Sequence, residues 1–196
     1  MEIIPLIKLK KRKILDYPKS FLKDISNEID EDEKVYILDF DGIDKDKPNF
    51  CTVQRMASSY DIWFDFSPKN LGDVVDAVMA GAQAITLRKT QWPDIKISDI
   101  KDITENEIYT NIEFDYMLKN GFIDMKNKQL DGLVNFYSRK EIESSFQNSD
   151  YFKTICKINT IFTYESNIKN LSFWKGFGVK GILVDFDKYK EFKNGL

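Results

Sequence analysis

Histidine is absent from all 196 residues. Its absence excludes Ser-His and Cys-His nucleophilic machinery and any His-containing metal site, and leaves acid–base work to carboxylates, Lys, Tyr or Cys. Cysteine is scarce: Cys51 and Cys156 lie far apart and match no metal or redox spacing, which reads as two reduced thiols. Basic excess is lacking too. The 29 Lys and Arg against 32 Asp and Glu give a formal net charge of -3, whereas a nucleic-acid binder ordinarily carries a basic surplus. No segment approaches the ~18 apolar residues of a membrane span. The apolar run at Ile3-Ile4-Pro5-Leu6-Ile7 is too short for a signal peptide and is broken by proline. The sequence therefore predicts a cytoplasmic protein that engages neither nucleic acid nor membrane.

What is present is a chain rich enough in apolar residues, at 42% with 14% aromatic, to exclude disorder. Its length predicts one domain over 1–196. Apolar runs recur at Ile3–Leu9, Val35–Phe40, Asp61–Phe66, Ala84–Leu87, Ile108–Phe114, Gly132–Tyr137, Thr160–Tyr164 and Gly181–Val184. Their spacing is that of one strand–helix unit. Helical periodicity falls between them, at Phe21-Leu22-Ile25-Ile29, most clearly at Leu71-Val74-Val75-Val78-Met79 before Gly81, and again over Ile142–Ile155 and Ile168–Trp174. Alternating strands and helices predict a parallel sheet. About eight such units predict a compact, closed (βα)8 TIM-type barrel, α/β in class, with the charged run Asp44-Lys-Asp-Lys-Pro48 as a solvated loop at its mouth.

The central stretch is Val35-Tyr-Ile-Leu-Asp-Phe-Asp-Gly-Ile43. It reads as a buried parallel strand ending in Asp39 and Asp41, at the C-terminal end where such folds place their chemistry. Strand alternation puts the two carboxylates on one face, where they serve as acid and base, bind a cation or hydroxyl, or cap the turn at Gly42. Glu113 and Asp115 repeat the pattern on the fifth unit, and Glu113 is the better acid–base candidate. Lys8 ends the first strand after an almost wholly apolar run. Burial would free its amine for Schiff-base chemistry, or the ammonium pairs with Asp39 or Glu113. Arg88 and Lys89, after the fourth strand, either bind an anionic substrate or neutralise nearby carboxylates. Trp63, Trp92 and Trp174 read as core or interface residues.

Several of these stretches resemble the HisA/HisF group of small (βα)8 barrels: Glu2-Ile-Ile-Pro-Leu-Ile-Lys-Leu9, Tyr36-Ile-Leu-Asp-Phe-Asp-Gly-Ile43, Ile62-Trp-Phe-Asp65, Ala80-Gly-Ala82 and Thr110-Asn-Ile-Glu-Phe-Asp115. Within the group the chain resembles an archaeal HisA-related branch whose members occur in organisms with methanogen-type C1 coenzymes, which implies a role in coenzyme biosynthesis. It also departs from the group. Lys8 stands where the isomerase has a catalytic Asp, and Glu113 where it has the partner Asp. The phosphate-gripping places after strands seven and eight read Tyr164-Glu-Ser166 and Val184-Asp-Phe-Asp187, where Glu165, Asp185 and Asp187 repel phosphate. ProFAR isomerase activity is therefore not expected.

Two functions follow. One is an isomerase or lyase acting on a small carbonyl or phosphorylated metabolite, with Lys8, Asp39 and Glu113 as catalytic groups and Asp41, Arg88, Lys89 and Asp185 contacting substrate. The other is a non-catalytic barrel serving as an interaction or regulatory subunit. No metal ligand set and no cofactor is assigned, and a homo-oligomer or a protein partner is left open.

Overall fold

A computed structural model describes residues 1–15, 21–114 and 129–195, with the backbone alone at 21–24 and 146–148. Asp115 falls outside the described residues. Eight parallel strands form a closed ring in the order β1 (Glu2–Lys10), β3 (Lys34–Asp39), β4 (Asp61–Asp65), β5 (Ala82–Leu87), β6 (Glu107–Asn111), β7 (Gly132–Asn135), β8 (Ile161–Tyr164) and β9 (Gly181–Asp185), and β9 pairs back onto β1. The fold is thus the compact (βα)8 barrel expected, and every apolar run overlaps one of its strands.

Each strand separates two cores by its period of two. Ile3, Ile7 and Leu9 of β1, with Val35 and Ile37 of β3, join the layer between barrel and helices. Ile4 and Leu6, with Tyr36 and Leu38, face the barrel axis. The axis is filled mainly by aromatic rings. Trp63 lies 4.0 Å from Tyr109 and 5.0 Å from Phe162, centroid to centroid. Small residues make room for them: a Cβ on Gly181 would meet the Phe162 ring at 2.7 Å.

Helices α1 (Phe21–Glu28) and α4 (Leu71–Met79) lie where periodicity placed them. In α4, Asn70 caps the start by accepting from the Asp73 N–H at 3.1 Å. The helix expected over 142–155 is two helices, α6 (Arg139–Glu143) with a Ser138–Glu141 capping box, and α7 (Phe146–Ile158). The segment from Ile168 begins as a 3-10 turn and continues as α8 (Leu171–Phe177), and α9 (Tyr189–Asn194) follows β9. A short α5 (Ile97–Lys101) precedes β6.

Besides α5 and α9, three elements around the ends of β1 and β3 were not read from the sequence. Strand β2 (Lys13–Ile14) folds back on the end of β1 as an antiparallel hairpin. Its two-residue turn holds Lys11 and Arg12 at φ 52° and 60°, the primed-turn geometry that Asn-Gly adopts most easily. Helices α2 (Phe40–Lys45) and α3 (Phe50–Met56) both follow β3 directly. Of the charged run, Asp44 and Lys45 end α2, while Asp46, its left-handed cap, through Pro48 forms a short loop.

Gly42 sits in α2 where the helix meets the backbone of Phe66: an added Cβ would lie 2.7 Å from the Phe66 carbonyl oxygen. Backbone cannot yield as a side-chain tip does, so Gly42→Ala should destabilise by about 1–3 kcal/mol in urea unfolding. An unchanged midpoint would show that α2 packs more loosely than this.

Candidate functional site

The strand β3 stops at Asp39, and this decides where the two motif carboxylates go. Asp39 shares the parity of Val35 and Ile37, so it faces the helix layer, away from the axis. Its carboxylate caps α2 by accepting from the Asp41 N–H at 3.1 Å, and it accepts from the Asn49 backbone at 2.6 Å and the Asn49 side chain at 2.7 Å. Burial pushes the Asp39 carboxyl up from its usual range, against the pull of those donors. Asp41 approaches it through the helical turn, not by strand alternation. Burial also acts to raise Asp41, but Asn49, Lys45 and the Lys11 backbone N–H outweigh it and hold it below the usual range. The pair therefore organises α2, α3 and the β1–β2 hairpin around Asn49, apart from Lys8 and Glu113.

The mouth itself is built from the inward-facing ends of the other strands. Lys8 makes an ion pair with Asp185 at 2.7 Å and donates to the Tyr164 hydroxyl at 3.2 Å, and that hydroxyl donates to Asp185 at 2.8 Å. The expected partners were Asp39 or Glu113; Asp185 takes the role because β9 closes the barrel beside β1. Burial works against the ammonium, but the bonds to Asp185 and Tyr164 and the Asp185 charge prevail, and the Lys8 pKa is raised above 10.5. Lys8 is therefore an ammonium near neutrality, which removes the free amine that Schiff-base formation needs.

A second cluster lies across the ring. Asp65 is fully buried and accepts from Arg88 through both oxygens, at 3.1 and 2.6 Å, and from the Tyr36 hydroxyl at 2.7 Å. Arg88 thus neutralises a carboxylate. Burial opposes the guanidinium, yet Asp65 raises its pKa further. Phe136, which sequence reasoning passed over, lies between the clusters, with its ring centroid 6.1 Å from Tyr36 and 6.2 Å from Tyr164. Lys89 has the opposite parity and lines a separate 210 Å³ cavity with Leu87, Ile95 and Thr110.

Glu113 lies just beyond β6, four strands round the ring from β1. The chain is pinned on either side of it: the Ile112 N–H donates to the Val134 carbonyl at 2.8 Å and the Phe114 N–H to the Tyr137 hydroxyl at 3.2 Å. Its Oε1 accepts from Thr90 at 2.8 Å and Asn111 at 3.0 Å. Its Oε2 is buried and meets no donor among the described residues.

Beyond strand seven, Glu165 turns outward and fills the loop with its own negative charge. It accepts from the Ser166 N–H at 2.9 Å, the Asn167 N–H at 2.8 Å, and Asn170 and Trp174 side chains at 2.9 Å each. Donors that could grip a phosphate are already occupied. Among the described residues no group of three Asp, Glu or Cys side chains is placed to hold a metal ion.

Arg88→Ala leaves Asp65 charged and buried alone, and should cost about 3–5 kcal/mol, whereas replacing both partners by apolar residues of similar volume should cost far less. Denaturant midpoints of the single and double variants decide this. The Lys8 pair has a pH signature. Because its folded pKa is raised, its stabilisation is complete below pH 10.5 and is lost as pH rises through the folded value. Lys8→Met should remove that alkaline loss in unfolding midpoints measured around and above pH 10.5.

No protein-family model and no curated protein matches the chain. Solved structures do. A structure of KGPDC from Streptococcus mutans aligns over 99% of this chain and 96% of its own with TM-score 0.64 at 13% identity. A 3-hexulose-6-phosphate synthase from Salmonella typhimurium aligns over 100% and 98% with TM-score 0.63 at 8% identity. An HpcH/HpaI aldolase from Desulfitobacterium hafniense DCB-2 aligns over 84% and 90% with TM-score 0.55 at 9% identity. At such identities these likenesses show the barrel fold alone, and they show no link to the HisA/HisF group.

Proposed function

We propose that the barrel is a lyase or isomerase that forms an enolate from a small carbonyl compound. The observation that carries this reading is the Glu113 carboxylate, held by Thr90 and Asn111 through one oxygen while the other is buried and meets no donor among the described residues. Such a group is an oriented base. It would take the proton from the carbon next to the carbonyl, and the bonding pair would move onto the carbonyl oxygen. The Lys8 ammonium, with an N–H beyond those given to Asp185 and Tyr164, supplies a hydrogen-bond donor for that oxygen. Where the deprotonated carbon bears a hydroxyl, moving the hydroxyl proton to the former carbonyl oxygen and returning the abstracted proton to the former carbonyl carbon completes an isomerisation, and an enolate is also the product side of a carbon–carbon cleavage. The likeness to barrels described as an aldolase and a 3-hexulose-6-phosphate synthase supports a lyase-type reaction by analogy of fold.

Of the two substrate classes, the non-phosphorylated one fits better. Lys8 and Arg88 are each matched by a carboxylate, Glu113 adds one more, and Glu165 occupies the donors of the seventh loop. Asp39 and Asp41 have no place in this scheme, since Asn49 engages both and the hairpin engages Asp41.

The interaction-subunit reading has one observation of its own. Leu71, Val75 and Met79 lie one turn apart on α4 and are 37, 44 and 76% exposed, an apolar stripe facing solvent.

The enolate reading is tested by incubating the protein in D2O with a panel of small hydroxyaldehydes, hydroxyketones and keto acids and following exchange of the α-hydrogen by NMR. Exchange should appear with at least one class, and Glu113→Gln should slow it by about 10²–10⁴-fold. Borohydride should trap no adduct at Lys8. Absence of exchange throughout would leave the subunit reading standing in its place, and full exchange in Glu113→Gln would overturn Glu113 as the base.

A further inference from the structure

Outside the mouth, the β1–β2 hairpin, the end of α2 and the start of α3 enclose a cleft of about 930 Å³, within the ~300–1,000 Å³ range of small-molecule sites. Its wall carries five cations, Lys11, Arg12, Lys45, Lys47 and Arg55, and a single carboxylate, Asp41. That carboxylate is engaged by Lys45 at 3.2 Å, by Asn49 and by the Lys11 backbone N–H. The side chains of Lys11, Arg12, Lys47 and Arg55 have no acidic partner among the described residues and are all exposed. A chain of formal charge -3 thus gathers four uncompensated cations on one concave surface.

The backbone adds an independent point. The hairpin tip holds Lys11 and Arg12 both at positive φ, where Asn-Gly would be unstrained. Two long cations stand in the conformation that least suits them, at the rim of the cleft. Phe50 and Pro48 supply an apolar wall.

We propose that this cleft binds a phosphorylated small molecule of mononucleotide size, its phosphates held by Arg12, Lys47 and Arg55 and its remaining body against Phe50. Arginine forks match phosphate oxygens in pairs, and the lysine adds a point charge. The bounded volume, and the net negative charge of the rest of the chain, favour a compact ligand over a nucleic-acid strand, which needs an extended basic track. The site is separate from the mouth and does not depend on the reaction carried out there.

The test is calorimetric titration of the full chain with inorganic pyrophosphate, with ATP and with a single-stranded oligonucleotide, at low and at raised salt. Pyrophosphate and ATP should bind one per chain, more weakly as salt rises. Lys47→Glu with Arg55→Glu should weaken ATP by at least about tenfold, since each removes a charge-assisted bond. Lys140→Glu, an exposed cation on α6, and Glu113→Gln should leave binding unchanged. All substituted positions except Glu113 are exposed, and matching circular dichroism spectra verify folding; Lys47→Gln with Arg55→Gln serves as the milder pair. No binding of either phosphate, equal binding by both pairs and the parent, or equal weakening in Lys140→Glu would overturn the assignment. An oligonucleotide bound more tightly than ATP would overturn it in favour of a nucleic-acid surface.

Discussion

A carboxylate buried on the axis of a barrel has to bring its counter-charge with it, and Asp65 sets that condition here. With no exposure, it would cost several kcal/mol as an unpaired ion. Arg88 meets it with two hydrogen bonds and Tyr36 with a third, and Thr86 links Tyr36 to the Trp63 indole. These contacts tie β3, β4 and β5 together inside the barrel. The rings of Trp63, Tyr109 and Phe162 then stack on that base. The mouth inherits its floor from this network, and the Lys8–Asp185 pair repeats the solution where β9 meets β1.

The barrel was legible because its strands are short apolar runs at regular spacing, and the pattern survives any detail of packing. The helices α2 and α3 were not, because Phe40–Lys45 is too short and too polar to show a period; a buried cap at Asp39 and an Asn49 side chain ten residues away start and hold it. The hairpin was missed for a related reason. Lys11 and Arg12 are poor turn residues by composition, so nothing local announced β2.

At the site, residue types were easier to read than partners. Lys8 and Asp185 both stand out as charges at strand ends, yet which carboxylate meets Lys8 depends on closure of the ring, a contact across 177 positions. Asp39 and Asp41 look like a catalytic pair in a one-dimensional view because alternation assumes that the strand continues. It ends at Asp39, and one residue of helix is enough to turn the pair toward Asn49. Glu165 shows the opposite case: its charge was read as hostile to phosphate, and the structure adds the reason, since the loop donors turn inward to it.

The ring-filled axis has a consequence for selectivity. Tyr36, Phe136 and Tyr164 lie close together across the opening, above Trp63. Among the described residues this bed of aromatic edges leaves little depth to the axis, so a guest would rest on the barrel as on a tray. Recognition is then a matter of where charges stand around the rim and how few atoms separate them, not of how much apolar surface a guest can bury. Such a surface would favour short, polar molecules.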